Sequence, residues 1–212
     1  MGKYTHETMI HKRTFWKGGE IMNKVCRAIT FEEFESIISM LREGFEFRGT
    51  KVKSKERIAD ALVLEANLGL RIDDVLHLTL SSFSKVGSEY YLDIIEQKTG
   101  KKADIKVPAE VMNYIQDYVI KWGLGKEQHL FPFRVRNVQK YLDMVCKKLK
   151  LKNVGTHSFR KFSAKNVYEE SGYDPRVVQE FLRHSSLTTT QRYLGVSKQK
   201  VNAIVEKCVC IA

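Results

Sequence analysis

The 212-residue sequence contains no apolar run that approaches the roughly 20 residues needed for a helix to cross a bilayer. Its first residues are polar and charged and do not resemble a signal peptide. These two absences argue against a membrane protein and against a secreted one. We therefore expect a protein of the cytoplasm, with no membrane partner.

Cysteine is scarce and shows no pattern. The four cysteines, Cys26, Cys146, Cys208 and Cys210, form no CxxC pair and no spacing typical of a disulfide framework. The sequence therefore indicates neither a structural zinc site nor a disulfide scaffold. Buried or idle thiols are the simpler interpretation.

Acidic residues are few in the last third of the chain. Residues 134–212 carry 16 Lys and Arg against 6 Asp and Glu, whereas residues 1–133 carry 20 against 19. Nearly all of the net charge of +11 therefore lies after residue 133. A solvated basic surface would explain part of this imbalance, but its size favours a polyanionic partner such as nucleic acid. A membrane surface fits less well, because the basic residues are spread over several helical segments.

Most of the chain shows helical patterns. TFEE at 30–33 is a capping box, with Thr30 as N-cap and Glu33 at N3, and it predicts a helix with apolar residues at helical spacing. A second helix is predicted at about 54–68, followed by a turn at Gly69 and a short helix that leaves Arg71 at the junction. Pro108 is predicted at N1 of a later helix. The later helices are predicted at 108–122, 135–150, 157–171 and 174–183.

A single β region is predicted, within residues 83–108. β-prone runs there are separated by turn residues at Gly87 and at Thr99–Gly100, which fits a small antiparallel sheet of three strands. The expected fold is therefore mainly α with one small three-stranded sheet. Residues 1–28, with a joint at Gly18–Gly19, are expected to form an extension or linker, and residues 29–212 one domain.

HSFR at 157–160 places His157 and Arg160 one helical turn apart, on the same face of a helix. This pair alone is weak, because such spacing is common by chance. Four segments quoted in chain order strengthen it: GLRIDDVLHL, EQKTGK, THSFRKF and LRHSSLTTTQRYL. Together they resemble the tyrosine recombinases, the lambda-integrase-like enzymes that cut and rejoin DNA, over roughly residues 29–207. The resemblance implies the catalytic-domain fold of that family.

The resemblance identifies six catalytic residues: Arg71, Lys98, His157, Arg160, His184 and Tyr193. Tyr193 would be the nucleophile that forms a 3′-phosphotyrosyl bond and frees a 5′-hydroxyl. Arg71 and Arg160 would each present a fork of donors to the non-bridging phosphate oxygens. Because the covalent bond conserves the energy of the broken one and the arginines meet the phosphate charge, neither a cofactor nor a metal is expected.

The remaining roles concern protons. The resemblance makes Lys98 the general acid for the leaving 5′ oxygen, with Lys101 and Lys102 as rivals on the same hairpin. His157 would be the base or proton shuttle beside the tyrosine, and His184 would donate a hydrogen bond to the phosphate. Taken singly, each of these residues is more often a surface charge, a structural histidine or a core aromatic. The occurrence of all six residues in the family's order outweighs these structural interpretations.

The implied partner is double-stranded DNA that carries specific recombination sites. The tail SKQKVNAIVEKCVCIA places Val201, Ile204, Val205 and Cys208 at the spacing of an amphipathic helix. In the resembled family such a segment docks on a neighbouring subunit, so we expect a homotetramer on DNA, assisted by accessory DNA-bending proteins. Packing of this stripe on its own domain is the alternative.

Four departures from the family pattern stand out. Lys161 replaces a frequent His, Arg183 a frequent Gly, and Asp74 a frequent Glu. We expect the first two to be peripheral to the chemistry and Asp74 to brace the first arginine. Only residues 1–28 precede the catalytic part, where most members carry a separate core-binding domain. An excised catalytic domain, or a short member like the fimbrial phase-variation invertases, would fit.

Two other classes remain open from the sequence. A helical DNA-binding regulator without catalysis would explain the charge but not the ordered catalytic set. A type IB topoisomerase-like enzyme would share the same chemistry and relax DNA as a monomer. Among tyrosine recombinases, these residues do not distinguish the biological outcomes, such as integration, excision or inversion.

Overall fold

The structure is a computed structural model that describes residues 26–98, 100 and 102–195. Within these ranges it contains eight α-helices, one short 3-10 helix at Leu80–Ser82 and five β-strands. The helices are α1 (Phe31–Glu43), α2 (Glu56–Leu68), α3 (Ile72–Leu76), α4 (Ala109–Trp122), α5 (Val135–Lys148), α6 (Thr156–Glu170), α7 (Pro175–Leu182) and α8 (Leu187–Tyr193). The strands are β1 (Phe45–Phe47), β2 (Thr50–Val52), β3 (Phe83–Val86), β4 (Glu89–Ile95) and β5 (Lys102–Val107). The predicted fold class, mainly α with a small antiparallel sheet, is confirmed.

The capping box of α1 is present as predicted. The Thr30 hydroxyl accepts from the Glu33 backbone N–H at 3.2 Å, and the Glu33 carboxylate accepts from the Thr30 backbone N–H at 3.0 Å. The same carboxylate binds the Arg27 guanidinium, and the Arg27 backbone N–H donates to the Asn153 carbonyl. The segment before α1 is thereby tied to the loop between α5 and α6. The predicted domain boundary at residues 28–29 stays a prediction.

Helix α2 is the centre of the domain, because most of its residues are buried. It packs against α1 on one side and α6 on another, and it leads into α3 through Gly69 and Leu70. The apolar side chains of α1, α2, α4, α5 and the sheet form one continuous core. A smaller cluster lies under α7 and α8, where Ala164, Val178 and Leu182 are buried. This second cluster holds Tyr193.

The predicted three-stranded sheet is confirmed, in the order β3-β4-β5 with both pairs antiparallel. The turn at Gly87 joins β3 to β4, and Gly87 has a positive φ of 61°. A second, two-stranded sheet of β1 and β2 was not predicted. Its tight turn places Arg48 and Gly49 at φ values of 52° and 74°, and Arg is an unusual residue for the first of these positions.

The helices after the sheet match the predictions to within about two residues, a normal uncertainty at helix ends. Pro108 is the N-cap of α4 and not its N1 residue. Asp174 caps α7 and Pro175 occupies N1, as predicted. Helix α8 had no sequence prediction. The predicted joint at Gly18–Gly19 and the predicted tail helix lie outside the described residues.

None of the helices that the structure describes is long and apolar enough to span a membrane. Cys26 and Cys146 are both free thiols. Cys146 is buried, and burial raises its pKa to about 12. Cys208 and Cys210 lie in the part of the chain that is not described.

Candidate active site

Arg160 lies at the centre of the site and is only 2% exposed. Its Nη1 donates to the carbonyl of Gly69 at the end of α2, and its Nη2 donates to the carbonyl of Leu182 at the end of α7, at 2.8 Å. Burial lowers its pKa to about 10, so the group remains a cation at neutral pH. The side chain therefore joins two helix C-termini while it supplies a fixed positive charge.

Gly69 makes this arrangement possible. It ends α2 in the left-handed conformation, with a φ of 58°, where glycine is favoured. A Cβ atom at this position would lie 2.4 Å from Cζ of Phe181, well inside contact distance. The absence of a side chain thus allows α7 to approach α2 and lets the carbonyl meet Arg160.

Arg71 is held by carboxylates. It is the N-cap of α3, and its Nη1 lies 2.8 Å from Oε2 of Glu96 and 3.8 Å from Oδ2 of Asp74. Both acidic side chains are almost fully buried, whereas that of Arg71 is 18% exposed. The two carboxylates therefore hold the guanidinium in place, while the Arg71 side chain stays partly exposed.

Arg183 shares the same carboxylate. Its Nε lies 3.0 Å from Oε1 of Glu96, and its Nη1 donates to the Phe181 carbonyl at 2.9 Å. Glu96 thus bridges Arg71 and Arg183, which come from segments far apart in the sequence. Arg183 was expected to be peripheral to the chemistry, and the structure places it one carboxylate away from a predicted catalytic arginine.

The hairpin lysine is positioned through its neighbour. Oδ1 of Asp74 accepts a hydrogen bond from the Gln97 backbone N–H at 2.8 Å, so α3 holds the hairpin directly before Lys98. The Lys98 side chain is exposed, and its charge acts on the His157 imidazole. Of its two rivals, Lys102 pairs with Asp93 at 3.2 Å, and Lys101 lies outside the described residues.

His157 stands at the second position of α6, close to the helix N-terminus. Burial of the imidazole lowers its pKa, and repulsion from the Arg160, Lys98 and Arg71 cations lowers the pKa further. The imidazole is therefore neutral at pH 7 and able to accept a proton. The residue as a whole reaches solvent, so a DNA strand could approach it.

His184 follows Arg183, the C-cap residue of α7. Its Nδ1 lies 3.0 Å from the Thr190 hydroxyl of α8, and its ring meets the Tyr193 ring edge to face at 5.4 Å. Burial, followed by repulsion from Arg160 and Arg71, lowers its pKa to about 4. His184 is therefore a neutral hydrogen-bonding group at pH 7.

Tyr193 ends α8 inside the smaller core cluster. Its hydroxyl is buried and makes no hydrogen bond of normal geometry to the residues that the structure describes. Burial raises its pKa above the ordinary value, while the nearby Arg160 cation partly offsets this. Lys161, expected to be peripheral, places its Nζ 5.2 Å from the Tyr193 ring centroid and donates to the Cys26 carbonyl at 2.7 Å.

Two buried carboxyl groups were missed by sequence reasoning. Glu65 of α2 is fully buried near Arg160, and burial raises its pKa well above the usual range. Glu96 continues the alternation of Leu92 and Ile94 toward the core, a period of two that could have revealed it. Glu65 lies in a helix that is buried nearly all round, where no pattern distinguishes it.

The structure thus brings five of the six predicted catalytic residues around Arg160 and the end of α8, with Lys98 on the adjoining hairpin. Three guanidinium groups, two neutral imidazoles and one phenol lie in this cluster. Such a set can bind an anionic phosphate and move protons near neutral pH. No group of three metal-ligating side chains occurs among the residues described.

Solved structures share this fold. The XerH site-specific recombinase bound to palindromic difH substrate, in a post-cleavage complex, aligns with a TM-score of 0.63 at 21% identity, covering 86% of this chain and 53% of that one. The catalytic domain of bacteriophage HP1 integrase aligns with a TM-score of 0.57 at 16% identity, covering 85% and 94%. At these identities the likeness establishes the fold, that of tyrosine recombinase catalytic domains.

The sequence comparisons define the family. The profile of the phage integrase family matches residues 27–200, and the chain belongs to that family. Tyrosine recombinase XerC of Leptospira interrogans is 28% identical over 181 residues, which are 80% of this chain and 57% of that protein. Tyrosine recombinase XerA of Pyrococcus furiosus is 25% identical over 198 residues, 89% of this chain and 64% of that protein. The chain therefore spans less than two thirds of the length of these relatives.

Proposed function

We propose that this protein is a site-specific tyrosine recombinase that cuts and rejoins double-stranded DNA through a covalent bond to Tyr193. The observation that carries the proposal is the position of Tyr193 beside the buried Arg160 cation and against the His184 ring. A non-catalytic DNA-binding regulator would need no such cluster around a tyrosine. Membership of the phage integrase family supports the same reaction.

In the proposed step, a phosphoryl group is transferred from the 5′ oxygen of the DNA to the oxygen of Tyr193. The Tyr193 oxygen attacks the phosphorus, its proton passes to neutral His157, and the bond from phosphorus to the 5′ oxygen breaks. Lys98 gives a proton to that departing oxygen. In rejoining, a 5′-hydroxyl attacks the phosphotyrosine and Tyr193 leaves, so no net oxidation or hydrolysis occurs.

The cations lower the barrier of this step. Arg71 and Arg160 donate to the non-bridging oxygens, where negative charge grows in the pentavalent transition state. His184 donates the hydrogen of one ring nitrogen to the phosphate while the other nitrogen contacts Thr190. The buried Tyr193 hydroxyl reacts only after its oxygen reaches the phosphate. Binding of the DNA is therefore itself a condition for cleavage.

The test is covalent trapping. The intact chain is incubated with nicked suicide DNA from its recombination site, in EDTA, and covalent adducts are separated on denaturing gels. We expect an adduct with the intact chain and none with Tyr193→Phe, although the variant binds the DNA equally. Normal adduct formation by the variant, or a strict need for magnesium, would overturn the proposal. Strand exchange between two sites then separates a recombinase from a topoisomerase.

The proposal includes the assembly of four protomers on two DNA sites, linked through the segment after Tyr193. Accessory DNA-bending proteins would compensate for weak binding by this domain alone, because one domain makes few phosphate contacts and its affinity falls with salt. The excess of basic residues after residue 133 supports the DNA partner.

A further inference from the structure

Arg71 has a charge problem that the proposed function exposes. An arginine binds an anionic phosphate less well where carboxylate charge outweighs its own, and Arg71 faces two buried carboxylates, Glu96 at 2.8 Å and Asp74 at 3.8 Å. With both ionised, the three groups alone carry a net charge of about −1. Charges held in a poorly solvated site act strongly on an incoming anion. Without a further cation, the net negative charge of these three side chains would weaken the binding of a phosphate.

Arg183 supplies the missing positive charge. Its Nε lies 3.0 Å from Oε1 of Glu96, on the oxygen that Arg71 does not use. The carboxylate is thus shared, and the four groups together are neutral instead of anionic. Both arginine side chains are 18% exposed, so each is partly accessible to solvent.

Arg183 occupies this position at a cost to the fold. Its backbone is left-handed, with a φ of 55°, a conformation that disfavours residues other than glycine. Its Nη2 is buried without a hydrogen-bond partner among the described residues. Both features cost stability, and the contacts of Arg183 with Glu96 and with the Phe181 carbonyl offset that cost.

We propose that Arg183 is a positioning residue for phosphate binding: by sharing the Glu96 carboxylate, it keeps Arg71 available to the DNA phosphate. Without Arg183, a larger share of the Glu96 charge acts on Arg71. The guanidinium of Arg71 then turns toward Glu96, and the remaining carboxylate charge repels the phosphate. This inference rests on the proposed function and adds a residue that acts through another.

The test compares Arg183→Gly with a double variant that also carries Glu96→Gln. Glycine removes the guanidinium and suits the left-handed backbone, so relief of backbone strain offsets part of the stability that is lost with the Glu96 and Phe181 contacts. Glutamine keeps a carbonyl acceptor for Arg71 and removes the negative charge. The rate of covalent adduct formation is measured in single turnover at saturating protein, alongside DNA affinity and thermal unfolding.

We expect Arg183→Gly to form adduct about tenfold more slowly, a smaller loss than removal of a direct transition-state donor causes. Arg183→Lys, which keeps the charge, should lose less. The added Glu96→Gln change should recover most of the rate. Such recovery indicates a charge effect. If the Arg183–Glu96 ion pair only stabilised the fold, the added change at Glu96 would restore nothing.

Lys150→Gly is the matched control. Lys150 is exposed and also left-handed, with a φ of 57°, so this change removes one cation from the same backbone conformation away from the site. It should leave the saturating rate unchanged. A normal rate in Arg183→Gly, or no recovery in the double variant, overturns the inference. Failure of the intact chain to form any adduct would instead overturn the proposed function.

Discussion

Asp74 accepts a hydrogen bond from the Gln97 backbone N–H at 2.8 Å, so the helix that follows one predicted catalytic residue holds the hairpin that carries another. Asp74 was expected to brace the Arg71 side chain, and its other oxygen, Oδ2, lies within ion-pair distance of Arg71 Nη1, at 3.8 Å. Asp74 therefore fixes the distance between the arginine at the start of α3 and the lysine of the hairpin. Loss of this bond should act mainly on the proton that Lys98 delivers.

Asp74→Ala is expected to slow DNA cleavage, whereas Asp74→Asn, which keeps an oxygen acceptor for Gln97, should slow it much less. The reason is that only alanine releases the hairpin. A substrate with sulfur in place of the 5′ bridging oxygen separates the causes, because a thiolate leaves without a proton. We expect that substrate to restore cleavage by Asp74→Ala and by Lys98→Ala. If it restores Lys98→Ala alone, the hairpin link is not how Asp74 acts.

Arg71→Ala and Arg160→Ala should both lose cleavage by about 10²–10³-fold, as when one transition-state donor is removed. DNA binding should fall far less, since other cations contact the backbone. The two variants should differ in stability. Arg160→Ala leaves the Gly69 and Leu182 carbonyls without their donor, at roughly 1–3 kcal/mol for each buried group. Urea unfolding and gel shifts measure both effects, and equal losses of binding and cleavage would make these residues mere anchors.

Gly69→Ala should destabilise the fold by more than Gly123→Ala, and the pair is matched because both glycines have a φ of 58°. At Gly123 nothing lies within 4 Å of an added Cβ, so only the backbone preference is lost, about 1 kcal/mol. At Gly69 the Cβ meets the Phe181 ring and adds an overpacking cost of about 1–3 kcal/mol. Thermal unfolding would show equal losses if α7 can move away without cost.

Acid should destabilise the protein partly through His184. The imidazole has a pKa of about 4 in the fold, below its ordinary value of 6.5, so the unfolded chain binds this proton first as pH falls. The free energy of unfolding therefore decreases between about pH 6.5 and pH 4, and His184 contributes no pH dependence above that window. His184→Gln should unfold with a shallower pH slope in this range. Identical slopes would contradict the lowered pKa.

Truncation after Val196 addresses the segment that follows α8. On the proposed assembly, the shortened chain remains folded by circular dichroism and binds a half-site, but it assembles poorly on a full recombination site. The reason is that the apolar stripe of the removed segment would contact a neighbouring protomer. Unfolding of the truncated chain would mean that the stripe belongs to its own core. Normal assembly would exclude it as the link between subunits.

Local patterns predicted the elements that local forces determine. The Thr30–Glu33 capping box and the Asp174–Pro175 start each depend on residues within one helical turn, so the sequence displays them directly. The β1–β2 hairpin was missed because its strands have three residues each and its turn begins with Arg48. Short strands give too little alternation to recognise.

The catalytic set was predictable because a phosphate reaction needs particular side chains in a recognisable order. The supporting contacts were not. Glu96 meets Arg71 across 25 positions and Arg183 across 87, and no periodicity links residues so far apart. Their pairing depends on where the packing of α7 against α6 and α8 places Arg183, and that packing is determined by contacts distant in the sequence.

The Arg160 bonds to Gly69 and Leu182 place a reactive group at the point where two helices are held together. Separation of α7 from α2 removes both acceptors and the buried surroundings of the guanidinium at once. On the proposed mechanism, a molecule that opens locally keeps its tyrosine but loses the cation that makes the tyrosine effective. Chains that are damaged, heated or incompletely folded should therefore be inactive and should not nick DNA.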